Sequence, residues 1–325
     1  QGVAYLTSDS LAYESRIRPY PVFDMTSTPI TPDGSALKGS GSAKIIISDS
    51  KFFNNVSVNS PVLDRGGCQK EFVQMHNIEA RGNRAENDDK TKGEYLIRSQ
   101  ACPLTITNSV IEDNFAINKS AGVYIGSNVL SLVDVTFTKG GDSRINAFVF
   151  GAGDAVVTIE KCKFRDAKGG ALRFANSRSV TIKESEFSNC GGRRGGAIAI
   201  ETVSLLEITA TEFSDNSAET AGADIFASDV PEIRIIDSKF INLNENGSIF
   251  AEDVRTLTVQ QTIFRHSKKE DDQALDIDFD DQEWKNGDFG SKQSGQTYSN
   301  FFGIQQSDPF DAEFDDSNTP KGASP

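Results

Sequence analysis

The chain has 325 residues, and its 33 basic and 47 acidic side chains give a net charge of −14 at neutral pH. This balance argues against nucleic acid as a partner, because contact with phosphate groups needs a basic stripe. No apolar run is long enough to span a bilayer, so no transmembrane segment is predicted.

Residues 1–33 are predicted to be an extended N-terminal cap. The segment contains prolines at positions 19, 21, 29 and 32, which disfavour regular secondary structure. A cap is expected because the open end of a coil of strands exposes unpaired edges. We interpret Gln1 as the start of a mature chain whose leader has been removed.

Residues 34–281 repeat with a period of about 25 residues. Each unit has an anchor position, which is phenylalanine in most units. The positions five and seven residues before the anchor are aliphatic, and the residue between them varies. This alternation is typical of a strand with one buried and one exposed face. The predicted core ladder consists of the anchors Phe137, Phe164, Phe187, Phe213, Phe240 and Phe264.

A further apolar strand begins each unit and often follows a glycine, which permits a tight corner. Three short strands per period, without helical spacing, predict an all-β fold. We expect a right-handed parallel β-helix, or solenoid, of about nine to ten rungs with three strands per rung. A propeller fits less well, because its blades need about 40 residues. Residues 65–100 are the least regular part, and the polar stretch Arg81–Gly93 within them is expected to project as a loop.

Two tetrapeptides mark the repeat. Gly169–Leu172 and Gly195–Ile198 match GGA[ILV], whereas Phe52–Asn55 and Phe213–Asn216 match FxxN. Their alternation resembles the repeat of chlamydial polymorphic outer membrane proteins, and similar repeats occur in surface proteins of other bacteria and of protists. The resemblance covers about residues 34–280 and implies a pectin-lyase-like β-helix in a surface protein. Three units depart from the motif, with Gly140, Ala167 and Cys190 in place of the asparagine.

Residues 282–325 form an acidic C-terminal tail. Residues 270–325 hold 14 acidic and 3 basic side chains, so most of the net charge lies at this end. Disordered acidic segments are usually poor in aromatic residues, yet this tail contains seven of them. We expect the aromatic side chains to dock, either on the C-terminal end of their own coil or on a neighbouring molecule.

Four cysteines are too few for a disulfide scaffold. Cys68 and Cys102 lie in neighbouring units, as do Cys162 and Cys190, so these are the pairs expected after oxidation. For Cys162 and Cys190, burial as small apolar side chains in the ladder is the alternative.

Three Asn-x-Ser/Thr sequons are candidate glycosylation sites. Asn118 and Asn246 fall in turns between units, where we expect them to be exposed and modified. Asn55 is the asparagine of an FxxN motif, which the repeat places at a buried corner.

One metal site is a candidate. Asp276, Asp278 and Asp280 alternate, so their carboxylates point to one face of the last strand, as suits Ca²⁺. The alternative is an acidic edge that prevents aggregation. No other cofactor is predicted.

No catalytic constellation is visible in the sequence. Enzymes of this fold need carboxylates, or an arginine base with Ca²⁺, on one outer face. Neither His76 nor His266 is followed by glycine, and no Asp–Asp pair lies in a regular middle rung. The chain is therefore predicted not to be an enzyme.

The predicted function is that of a structural or adhesive protein, extracellular or on the cell surface, either a rigid rod or a filament subunit. Expected partners are other extracellular proteins, copies of itself through the coil ends and tail, and glycans. The alternative is a carbohydrate-binding or polysaccharide-degrading β-helix. A cleft of carboxylates, basic side chains and aromatic rings on the outer surface of the middle rungs would favour that alternative.

Overall fold

The computed structural model describes most of the repeat region and three short strands outside it. The described residues are 45–57, 60–65, 72–85, 95–116, 120–126, 128–140, 147–242 and 247–266, with the strands at 4–6, 22–24, 37–39, 277–278 and 302–305. All regular elements in these ranges are β-strands. Nothing in the described part of the chain forms a helix that could cross a membrane.

The first twelve strands build the N-terminal turns. They are β1 (Ala4–Leu6), β2 (Val22–Asp24), β3 (Leu37–Gly39), β4 (Ile45–Phe53), β5 (Val56–Ser57), β6 (Leu63–Arg65), β7 (Val73–Arg81), β8 (Arg84–Ala85), β9 (Tyr95–Ser99), β10 (Leu104–Glu112), β11 (Phe115–Ala116) and β12 (Ser120–Ile125).

The remaining strands build the more regular turns and the C-terminal end. They are β13 (Val129–Gly140), β14 (Val149–Ala152), β15 (Val156–Glu160), β16 (Lys163–Ala167), β17 (Leu172–Ala175), β18 (Ser179–Lys183), β19 (Glu186–Ser188), β20 (Gly191–Arg194), β21 (Ile198–Glu201), β22 (Leu206–Thr209), β23 (Glu212–Ser214), β24 (Ser217–Ala221), β25 (Ile225–Ser228), β26 (Glu232–Ile236), β27 (Lys239–Asn242), β28 (Ile249–Glu252), β29 (Thr256–Gln260), β30 (Ile263–His266), β31 (Ile277–Asp278) and β32 (Phe302–Gln305).

Two large sheets run along the coil, and their strands join consecutive turns. Sheet A has 11 strands in the order β1-β3-β6-β9-β12-β14-β17-β21-β25-β28-β32. Sheet B has 16 strands. Most later turns contribute two consecutive strands to it, such as β15 and β16, whereas earlier turns contribute one long strand: β4, β7, β10 or β13. Among the described strands, only β30 and β31 pair antiparallel. The predicted class, a right-handed parallel β-solenoid, is confirmed.

The number of turns is smaller than expected. Sheet A adds one strand per turn from β6 to β28, so the chain makes about seven turns between Leu63 and Glu252. The sequence predicted nine to ten rungs. At both ends, however, sheet A contains only the short strands β1, β3 and β32.

One turn was missed in the sequence because its anchor is a small alanine. Within residues 65–100, β7 pairs in parallel with both β4 and β10. Ala80 of β7 lies opposite Phe52 on one side and Ile111 on the other, so it takes the anchor position. The polar residues 86–94 lie outside the described residues.

The six anchor phenylalanines stack along the axis of the coil. Successive ring centroids from Phe137 to Phe264 are 5.1, 4.8, 5.0, 4.6 and 4.8 Å apart, and the rings are nearly parallel. These distances match the spacing of neighbouring strands, about 4.8 Å. All six side chains are buried. The turns therefore share one continuous apolar core.

Sheet B bends once per turn at a residue with positive φ, such as Glu184 (48°) or Ala210 (50°). The next residue points inward and carries a hydroxyl group in most turns. Its backbone N–H donates to the hydroxyl of the following turn, as from Ser185 to Thr211 (3.4 Å) and from Thr211 to Ser238 (3.3 Å). These hydroxyl oxygens accept hydrogen bonds from backbone N–H groups, a role that backbone carbonyl oxygens have elsewhere between neighbouring strands. The bend is thus stabilised by a buried hydroxyl column.

The tail contributes a strand to its own coil. β32 pairs in parallel with β28, with Phe302 opposite Ile249, and so extends sheet A at its C-terminal end. This placement agrees with the first of the two docking surfaces expected for the tail. At the other end, β1 pairs with β3 and β2 pairs with β4, so these two strands also extend the sheets.

Candidate functional site

The outward side of sheet A carries a line of aromatic and arginine side chains. The parallel register places one residue from each strand in this line, and its neighbours along each strand point into the core. We define the outer strip as Arg98, Tyr124, Phe150, Arg173, Ala199, Phe226 and Phe250, together with Tyr95, which stacks on Tyr124.

The aromatic rings of the outer strip form two stacked groups. Tyr95 and Tyr124 lie 4.2 Å apart, and Tyr124 and Phe150 lie 5.9 Å apart, measured between ring centroids. Phe226 and Phe250 form the second group, at 5.5 Å. Burial, and then the neighbouring Tyr124, raise the pKa of the Tyr95 phenol above its usual range, so the phenol stays neutral. Tyr124, Phe150 and Phe250 are the half-exposed rings of the strip, and they offer uncharged, flat apolar surfaces to a ligand.

Two arginines of the strip are held by acceptors on sheet A. Arg98 donates to Gln100 Oε1 (2.7 Å) and pairs with Asp64 (3.3 Å). Arg173 Nη2 lies 3.5 Å from Glu201 Oε1 in the next turn. Both pairs are partly exposed, so they orient the guanidinium groups more than they stabilise the fold.

Two corresponding loops of successive turns, the wall loops, lie beside the C-terminal half of the strip and contain β20 and β24. The two strands pair, and Thr220 Oγ1 donates to the carbonyl oxygen of Arg193 (2.9 Å). The Arg194 guanidinium lies 5.0 Å from the centroid of the Phe226 ring, which is only 2% exposed. This is a cation–π contact that keeps a charged group at the edge of the strip.

The backbone conformation and close contacts of Gly195 explain why the GGA motif begins with glycine. Its φ is +60°, and a Cβ atom built there would lie 2.0 Å from the carbonyl oxygen of Ile198. No other residue type tolerates both conditions, so glycine allows the wall loop to enter sheet A closely. Gly222 holds the same place one turn later, where the corresponding distance to Ile225 is 2.1 Å.

A second concave surface follows the bend of sheet B. It is a groove of about 580 Å³, lined mainly by lysine and acidic side chains such as Lys163 and Glu184. Several of these charges pair with one another or with charges beside the groove, for example Glu212 with Lys239 (3.4 Å) and Glu186 with Arg165 (2.8 Å). The lining has no aromatic ring, so the outer strip is the better candidate for binding.

A buried carboxyl group lies where the wall loop of β24 joins sheet A. Asp224 takes the place that alanine occupies in the GGA motif of the previous turn, Ala197. Its side chain is fully buried; Asn216 Nδ2 donates to Oδ1 (2.8 Å), and Oδ2 has no hydrogen-bond partner. Burial raises the pKa of this carboxyl to about 7. The sequence signal of this carboxyl is the departure from the GGA motif in Ala221–Ile225.

The cysteines differ from the expected pairing. The predicted Cys162–Cys190 disulfide is wrong, because both thiols are free and buried. The two residues belong to different columns: Cys162 donates to the carbonyl of Glu160 (3.3 Å), and Cys190 to that of Ser188 (3.4 Å). Cys102 is disulfide-bonded, and Cys68 lies outside the described residues.

The glycosylation candidates are only partly covered by the structure. Asn55 is fully buried and donates from Nδ2 to Asn83 Oδ1 (2.7 Å), as part of an asparagine ladder that continues to Asn114. This geometry leaves no room for a glycan on Asn55. Asn118 and Asn246 lie outside the described residues, so their modification stays a prediction.

The candidate metal site lies largely outside the described residues. Asp276 and Asp280 lie outside the described residues, and Asp278 is described only as backbone in β31. Within the described ranges, no group of three His, Cys, Asp or Glu side chains could hold a metal ion. His76 Nδ1 lies 2.8 Å from Thr107 Oγ1 on an exposed face of sheet B, away from the outer strip. The side chain of His266 is outside the described residues.

Comparison with known proteins supports the fold. The model of a family described as the right-handed beta helix region matches residues 146–281, which include the most regular turns. A search of curated proteins found no match, and a search of solved structures also found none. The match does not discriminate between adhesive and polysaccharide-degrading roles.

Proposed function

We propose that this protein is a non-catalytic, extracellular or cell-surface β-helix that serves as a rigid structural or adhesive element. The outer strip carries the proposal, because it places aromatic rings and oriented arginines in one line on a stiff support. Residues of this kind dominate the energetics of binding surfaces. Partners of this face would be other extracellular proteins or glycans.

The continuous core supports the role of a rigid support. The stacked rings from Phe137 to Phe264 and the parallel backbone ladders extend through several turns without interruption. In a solenoid each turn contacts its neighbours, so the position of one outward side chain relative to the next is set by the strand spacing. A ligand therefore meets a preorganised row of contacts.

Binding without catalysis is supported by the state of the carboxylates near the strip. Glu201 forms an ion pair with Arg173, and Asp64 forms one with Arg98. Both carboxylates are engaged by guanidinium groups of the strip, whereas an acid–base catalyst must face the substrate.

An extracellular location is supported by the disulfide at Cys102, because disulfides persist mainly in oxidising compartments. The likeness of the GGA and FxxN repeats to chlamydial polymorphic outer membrane proteins agrees with the same location, and membership of that group stays a prediction.

Carbohydrate binding is the second candidate, and the outer strip favours it specifically. Half-exposed rings such as Tyr124 and Phe150 suit the apolar faces of sugar rings, while Arg173 and Glu201 offer hydrogen bonds at their rim. The neighbouring column contains the small residues Ala152 and Ala175, which leave the rings accessible.

Retardation of the protein in gels that contain soluble polysaccharides tests both candidates. Retardation that is lost in Tyr124→Ala/Phe150→Ala supports carbohydrate binding by the strip. Phe115→Ala removes a half-exposed ring from another sheet and is the matched control, which should behave like the parent. Release of reducing ends from any polysaccharide would contradict the non-catalytic proposal. Binding that both variants retain would show that the strip is not the site.

A further inference from the structure

One carboxyl group stands in a column of small residues at the start of the sheet A strands. The residues that directly precede β17, β21, β25 and β28 are Ala171, Ala197, Asp224 and Ser248. The amide of Ala197 donates to the carbonyl oxygen of Asp224 (3.1 Å), and the amide of Asp224 donates to that of Ser248 (2.9 Å). Since the neighbouring turns place alanine or serine in this column, the fold itself does not need an ionisable side chain there.

The Asp224 carboxyl is enclosed where the two wall loops meet. Its Oδ1 accepts a hydrogen bond from Asn216, whereas its buried Oδ2 has no partner. Asn216 also holds the other wall loop, because its Oδ1 accepts a hydrogen bond from the amide of Cys190 (2.9 Å). The positions above and below Asp224 are filled by Ala197 and Ser248 of sheet A. The wall loops are therefore the side from which water can reach an ionised carboxylate, which is costly to bury without donors.

The surroundings of Asp224 favour its neutral form up to neutral pH. Burial first, and the charge of Asp215 last, raise its pKa to about 7 against the opposing hydrogen bonds of Asn216 and Ser248. The thiol of Cys190 also faces the carboxyl, and it stays neutral because burial raises its pKa to about 12. None of these described groups is a cation, so nothing among them compensates the charge that Asp224 gains near neutral pH.

The wall loops cover one ring of the outer strip. The Arg194 guanidinium lies over the Phe226 ring, which is almost completely buried, whereas Phe250 of the next turn is half-exposed. Each wall loop ends at a glycine with positive φ, Gly195 (60°) or Gly222 (62°). Because glycine tolerates large changes of backbone conformation, the loops can move at these two points while the strands of sheet A stay in place.

We propose that Asp224 is a pH-sensitive latch for the wall loops. With a neutral carboxyl, the loops stay packed on sheet A and Arg194 covers Phe226. With an ionised carboxyl, the loops part and admit water to Oδ2, so that Phe226 joins Phe250 as a ring available to a ligand. This inference rests on the proposed function, and it names a residue that regulates ligand binding by the outer strip.

Hydrogen exchange of the wall-loop peptides tests the latch without any ligand. Exchange of the full chain is measured by mass spectrometry from about pH 5 to about pH 8.5 and corrected for its intrinsic pH dependence. The closed loops hold the Asp224 proton up to about pH 7, whereas the opened loops release it at the ordinary pKa of 3.8. Exchange of amides that link the loops, such as Gly195 to Ala221 (3.1 Å), should therefore rise about tenfold per pH unit up to about pH 7 and then level off.

Two variants of the latch residue are compared with the parent. Asp224→Ala introduces the residue of the preceding turn, and Asp224→Asn keeps the shape of the side chain without its charge. Both should lose the pH dependence, and either is sufficient if the other does not fold. A flat profile of the parent, or a rising profile that persists in the Asp224 variants, overturns the proposal.

Two further carboxyl groups provide the controls. Asp229→Asn removes an exposed carboxyl from the turn after β25, and the variant should keep the profile of the parent. Asp215→Asn removes the charge that faces Asp224 and should shift the levelling-off to lower pH. Loss of the pH dependence in Asp229→Asn would indicate a general effect of charge and would also overturn the proposal.

Polysaccharide retardation at two pH values separates the latch from the proposed function. Phe226→Ala should reduce retardation at about pH 8 and leave it unchanged at about pH 5, where Arg194 covers the ring in the parent. Equal reduction at both pH values would contradict the covering of Phe226 by the closed loops. A parent that is not retarded at any pH contradicts the proposed function, whereas pH-dependent exchange of its wall loops would still establish the latch.

Discussion

Asn216 donates a hydrogen bond from Nδ2 to Oδ1 of Asp224 at 2.8 Å, and both side chains are buried. Asn216 is the asparagine of an FxxN motif and precedes the wall strand β24, whereas Asp224 directly precedes β25 of sheet A. The bond therefore joins the two ends of the wall loop of β24 beside the outer strip. Since burial raises the pKa of Asp224 to about 7, this junction is sensitive to pH near neutrality.

Stability should fall as the pH rises from about 4 to about 7. The folded carboxyl has a pKa of about 7 and the unfolded one has the ordinary value of 3.8, so the folded state holds its proton more tightly in this window. The loss amounts to about 4 kcal/mol when complete. Thermal unfolding of the parent and of Asp224→Asn over this range measures it. The stability of the parent relative to Asp224→Asn should fall as the pH rises and then level off. Stability curves that stay parallel over this range would contradict the raised pKa of Asp224.

Phe187→Ala should destabilise the coil by about 3–5 kcal/mol, because the ring stacks on both Phe164 and Phe213 and leaves a cavity between them. Denaturant unfolding gives the free energy. Phe150→Ala, which removes a half-exposed ring of the outer strip, is the control and should cost much less. Equal costs for the two variants would mean that the stacked column does not dominate the core.

The thiols of Cys162 and Cys190 should not react in the folded protein. Burial raises their pKa values to about 11 and about 12, so both are protonated at neutral pH as well as inaccessible. Alkylation followed by peptide mass spectrometry should label neither residue in native protein and both after unfolding. Rapid labelling of the native protein, or a disulfide between them, would refute this expectation.

Gly195→Ala should destabilise the protein by about 1–3 kcal/mol and weaken ligand binding, because the wall loop must move away from sheet A. The added Cβ meets the Ile198 carbonyl at a residue with positive φ. Gly191→Ala in the same loop places its Cβ 3.3 Å from Ser217 Oγ without a positive φ, so it should be tolerated. Thermal unfolding and polysaccharide retardation of both variants provide the comparison.

Deletion of residues 290–325 should lower the melting temperature, because β28 loses the partner strand β32. Deletion of residues 306–325 keeps β32 and serves as the control. Coincident melting of the two truncated chains would show that this strand does not stabilise the end of the coil. Their sedimentation tests whether the tail also links neighbouring molecules.

The fold could be predicted from the sequence because its signals are local. The aliphatic positions before Phe164, Phe187 and Phe213 alternate along a few residues, and the period of the repeat follows from their recurrence. The turn through Ala80 was missed because a small alanine in the anchor position does not stand out from its neighbours along the chain. Outward residues such as Tyr124 and Phe150 were visible as members of predicted strands, but their stacking was not.

Only the tertiary structure decided which residues of different turns meet. Turn lengths vary, so the register between β12 and β14, or between β20 and β24, depends on how each corner is closed and not on spacing along the chain. The outer strip, the contact between Arg194 and Phe226, the separation of Cys162 from Cys190 and the burial of Asp224 all follow from this register. Alternation along one strand selects the buried face, whereas hydrogen bonds between turns select the neighbours.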